Sequence, residues 1–224
     1  MKLSTSILVA FAGVSAVSAL AERFDLKVRN YFFAGFSGNR ESLDKGLKMC
    51  EEALAADPKN AEALVWHGGG EYYLGGQAFQ KGDSQKGMEL VQLGMREMDD
   101  AVALAPDSVG VRVPRGAVLL TGSHHMPPEM ARPLIEKGLS DYEHSLELQA
   151  ANFDSLGTHP RGELLFGIAE GYSRLGNEEK ARAYFERIGT ELKDTPYAKR
   201  AATWMATKSL PVSETGCIGC HVSK

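Results

Sequence analysis

Cysteine is scarce in this chain: three among 224 residues, at Cys50, Cys217 and Cys220. An odd trio cannot build a disulfide framework, because one thiol is always left over. Basic runs are missing as well. The 25 lysines and arginines are outnumbered by 29 acids, for a net charge of -4. Such a chain lacks the electrostatic footprint that phosphate backbones require, so no nucleic-acid partner is expected. No strand pattern is visible, and neither is a Ser-His-Asp signature, a paired-carboxylate motif or a metalloprotease helix. Gly68-Gly69-Gly70 follows no strand and carries no Lys-Ser/Thr partner, so it is not a phosphate loop; close helix packing explains it better. Long apolar runs are also absent. The stretch Ile7 to Val14 is too short and too rich in small residues for a membrane span. It follows Lys2 and precedes Ala19-Leu20-Ala21, an A-x-A-like cleavage site before Glu22. Residues 1–21 therefore read as a secretory signal. With no cysteine at the cleavage site, a lipoprotein anchor is not indicated. The expectation is a bacterial, periplasmic protein with no membrane span after cleavage. Its net charge would be near -5, since the signal holds one lysine and no acid.

What the chain does have is helical periodicity. The 43% of hydrophobic residues suits a globular protein. Phe24, Val28, Phe32 and Phe36 recur every fourth residue and predict one helix face over Phe24 to Phe36. Leu43, Leu47, Cys50 and Leu54 do the same for Arg40 to Ala56. Cys50 lies on that apolar stripe and reads as a small core hydrophobe. Met88, Val91, Met95, Met98 and Val102 form another stripe expected to be core. Asp57-Pro58-Lys59-Asn60 breaks the second helix before Ala61-Glu62-Ala63-Leu64.

That junction resembles the tetratricopeptide repeat family. Leu64, Gly68, Tyr72 and Leu74-Gly75 stand where such repeats place a large apolar residue, a small residue, an aromatic and a terminal Leu-Gly. The pattern recurs at Ala103 to Ser108 with Arg112 and Gly116. It recurs again at Leu165, Ala169, Tyr172, Leu175-Gly176, Ala181 and Phe185. The spacing from Pro58 to Pro106 exceeds the family's period of about 34 residues. The excess falls around Gln77 to Gln85 and in a lengthened second helix. The resemblance implies an all-α fold: a right-handed superhelix of about four divergent helix pairs from Phe24 to Ile188, closed by a helix near Pro196 to Thr207. It also implies a groove that docks a protein partner and supplies no chemistry of its own. The chain thus divides into a signal (1–21), a repeat domain (22–208) and a short C-terminal tail (209–224).

The tail carries Cys217-Ile218-Gly219-Cys220-His221, the C-x-x-C-H signature of covalent c-type haem attachment. Cys217 and Cys220 can add across the haem vinyl groups as thioethers, and His221 can reach the iron as proximal ligand. One covalent haem c also settles the odd cysteine count, leaving Cys50 alone. Zinc would need a fourth ligand and usually a second ligand pair, and a redox dithiol would need a thioredoxin-like setting; neither accompanies the motif. The polar segment Ala206 to Gly216 can span roughly 35 Å if extended. No cytochrome fold is recognisable around the motif, so the haem must lie on the helical array, on a partner, or partly exposed. Candidates for the sixth ligand are His124, His125 and Met126, in a Gly- and Pro-bounded stretch from Gly122 to Met130 that reads as a loop. The functional expectation is a monohaem cytochrome exchanging electrons with a docked protein, such as a redox protein. The alternative is an assembly scaffold whose haem is structural or whose tail binds zinc. An open sixth site would permit peroxidase-like chemistry, but no distal constellation marks one.

Overall fold

The computed structural model describes residues 23–210. The expected export signal and the C-x-x-C-H motif lie outside these residues. Within them the chain forms nine α-helices: α1 (Phe24–Phe36), α2 (Arg40–Ala56), α3 (Ala61–Gln80), α4 (Ser84–Leu104), α5 (Val109–Gly122), α6 (Pro128–Leu148), α7 (Thr158–Arg174), α8 (Glu178–Glu191) and α9 (Pro196–Thr207). Two 3-10 turns, Ser123–His125 and Ala150–Ser155, flank α6. Short polar side chains start most helices after the first. Asn39, Asn60, Asp83, Asn177 and Thr195 each accept a hydrogen bond from a first-turn backbone N–H. Each cap satisfies a donor that the helix cannot reach, worth about 1 kcal/mol.

Consecutive helices pack as pairs: α1 with α2, α3 with α4, α5 with α6, α7 with α8. The odd-numbered helices also pack on one another, from α1 through α3, α5 and α7 to α9, so they form one layer, and each even-numbered helix packs on its odd-numbered neighbours. The fold is thus all-α, with the consecutive-pair packing of a helical repeat. Contacts in the odd layer join like ends. Gly162 and His159, early in α7, meet Tyr197, early in α9. Arg174, at the end of α7, reaches Leu120 and Ser123 at the end of α5. The odd helices therefore run parallel, and their C-terminal ends share one edge.

Close approach explains the glycines of α3. A Cβ at Gly68 would meet Gly94 O of α4 at 2.8 Å, one at Gly69 would meet Val118 of α5 at 3.2 Å, and one at Gly70 would meet Leu47 at 2.7 Å. Three successive positions thus face three different neighbours. Leu74-Gly75 does not end α3, which runs on to Gln80. Gly75 packs instead against Gly87 O and Val91 of α4, and this contact carries both helices a further turn. Leu175-Gly176 does end its helix, with Gly176 at φ +79°.

Two core clusters result. The first joins Val28, Phe32, Leu43, Leu47, Cys50 and Met98; the second joins Leu139, Leu165, Ala169, Phe185 and Trp204. Met126 packs against both. The expected stripe of α4 is only partly core. Met98 is fully buried, whereas Met88, in the first turns, is 50% exposed because Gly87 is the residue turned toward Phe79 of α3. A partly buried ionic network that periodicity does not reveal joins α4, α5 and α6. Asp141 of α6 accepts two hydrogen bonds from Arg115 (2.7 and 2.8 Å) and one from Arg112 (2.9 Å). Arg115 also donates to Asp99 of α4, which holds Lys137 of α6 as well.

Candidate functional site

The stretch from Gly122 to Met130 is more ordered than a loop. α5 passes directly into the 3-10 turn Ser123–His125, and α6 already begins at Pro128. Proline fits there because the first helical N–H has no intrahelical partner, and its fixed φ suits the helix. Only Met126 and Pro127 separate the two elements.

The three residues expected as iron ligands have three different surroundings. The His124 side chain is 9% exposed, and its Nε2 stands 2.7 Å from Oε1 of Glu170, a residue of α7 whose side chain is 6% exposed. Neither atom has an aligned hydrogen-bond partner among the described residues. The two atoms are close but lack the alignment of a hydrogen bond. Arg174 closes the cluster: its guanidinium lies 3.6 Å from Glu170 Oε1 and donates to Leu120 O at 2.9 Å and Ser123 Oγ at 2.8 Å. Burial lowers the affinity of Arg174 for its proton, and Glu170 partly offsets this. Met126 is half-buried between the two cores, so its thioether serves packing. His125 is exposed, with no hydrogen bond or ion pair among the described residues. Of the three, it alone presents an uncommitted ring to the outside.

The other polar groups have local partners. His67, on α3, directs Nδ1 to Glu97 Oε2 at 2.7 Å, with Glu71 and Glu51 3.8 and 4.0 Å from Nε2. Burial disfavours its protonated ring, but the Glu97 hydrogen bond and the charges of Glu97, Glu71 and Glu51 outweigh burial and raise the pKa. His144 pairs with Asp107, and His159 lies against Tyr197. The Cys50 thiol is fully buried; burial, reinforced by Glu97 and Glu51, pushes its pKa up, so it is a poor nucleophile and a poor metal ligand. Among the described residues no group of three His, Cys, Asp or Glu side chains is placed to hold a metal ion. Of the three residues expected as iron ligands, His125 is the one whose ring is accessible, while Cys217, Cys220 and His221 lie outside the described residues.

A pocket between α5, α7 and α9 is lined by Leu120, Phe166, Glu163, Glu170, Tyr197 and Arg200. Its volume is about 30 Å³, room for about one water and far below a small-molecule site. Phe166, Glu170 and Tyr197 are buried in its walls, and Glu163 and Arg200 are the charged groups partly exposed at its edge.

Sequence reasoning missed Glu170 and Asp141. Glu170 had a visible signal, an acid in the otherwise apolar run from Leu164 to Tyr172. Asp141 had none, because Ser140-Asp141-Tyr142 resembles any polar helix face. No helix among the described residues is long and apolar enough to cross a membrane. The chain matches no known family model, no curated protein and no solved structure.

Proposed function

We propose that this protein is an exported monohaem c-type cytochrome carried on a tetratricopeptide-like helical array. Cys217 and Cys220 attach the haem and His221 is its proximal ligand. The observation that carries this reading is the C-x-x-C-H motif, whose spacing and residue types suit thioether attachment and iron ligation together. Two further features support it. The third cysteine, Cys50, is sealed in the core and does not compete for the group. The apparent signal sequence would take the chain to the compartment where such attachment takes place. When bound, the haem supplies one-electron exchange between Fe(III) and Fe(II).

The array contributes a docking surface. On its odd-helix layer the partly exposed Glu163 and Arg200 stand over buried rings, with a cavity of only about 30 Å³ between them, which suits an extended protein segment better than a small molecule. The partner is a protein that exchanges electrons with the haem in the periplasm. A second reading, an assembly scaffold with a structural haem, rests on the same layer, because nothing in it is arranged for catalysis.

A pyridine haemochrome spectrum of the full-length protein, produced in a host competent for haem attachment, tests the proposal. The c-type spectrum is expected, and it should be lost in the Cys217→Ala, Cys220→Ala variant. A wild-type protein without it removes the cytochrome reading. Haem that is retained but never oxidised or reduced by periplasmic redox proteins favours the scaffold.

A further inference from the structure

We draw no further inference here: the strongest candidate, the side-chain cluster where Glu51 of α2, His67 and Glu71 of α3 and Glu97 of α4 meet, carries nothing, because its carboxylates and ring are not placed to hold a metal ion and no second observation among the described residues points to a ligand there.

Discussion

Substituting Gly94 by alanine should destabilise the protein through a contact that cannot adjust. A Cβ at Gly94 would lie 2.4 Å from Gly68 O and 2.7 Å from Tyr72 N, both backbone atoms of α3. A flexible side chain could rotate away, but a helix backbone moves only with its helix. Alanine gains about 0.8–1.0 kcal/mol of helix propensity over glycine. Overpacking costs about 1–3 kcal/mol, and backbone contacts place this site at or above the upper end. The net loss should be about 2 kcal/mol, or a fall of about 4–8 °C in Tm for a chain of this size. Gly76→Ala is the matched control, because it lies in α3 with no atom within 4 Å of its would-be Cβ. It should be neutral or gain up to about 1 kcal/mol. Urea unfolding followed by circular dichroism should therefore separate the two variants by roughly 3 kcal/mol. Equal midpoints would refute the claim that α3 and α4 cross backbone to backbone at this point.

Asp141→Ala leaves Arg115 buried with only Asp99 opposite and should cost about 3–5 kcal/mol in urea unfolding; a loss under about 1 kcal/mol would show that the network is solvated. His67 binds its proton more tightly folded than unfolded. Its contribution is therefore complete below the unfolded pKa of about 6.5 and declines as pH rises through the higher folded value. The stability difference between wild type and His67→Gln should be larger at pH 5.5 than at pH 8.5, if buffers at about those values are compared; a difference that grows with pH would contradict the Glu97 pairing. Cys50, buried and with a raised pKa, should resist a thiol reagent in the native protein and react only on unfolding; rapid native labelling of this thiol would contradict its place in the core.

The fold was largely legible because helix faces repeat. The apolar spacing in Phe24 to Phe36 and Arg40 to Ala56 marks α1 and α2 to the residue, and Pro196 to Thr207 is α9. Periodicity reports which face is buried but not how far a helix runs. Leu74-Gly75 looked like a terminus, yet packing against α4 carries α3 to Gln80. In the same way a double proline suggested a loop, while Pro128 opens α6. The candidate site was legible by composition and not by arrangement. His124 and His125 are equal in sequence, and only the array separates them, by bringing Glu170 from α7 against one and leaving the other exposed. Such a distinction depends on residues forty-six positions apart, which no local pattern encodes.

The central claim is the attachment of haem through Cys217 and Cys220. Intact mass and thiol count on the purified, exported, full-length protein, denatured and reduced, test it most directly. Thioether bonds survive reduction, so the account predicts the polypeptide plus one haem and a single reactive thiol, that of Cys50. A mass without haem and three reactive thiols would contradict it.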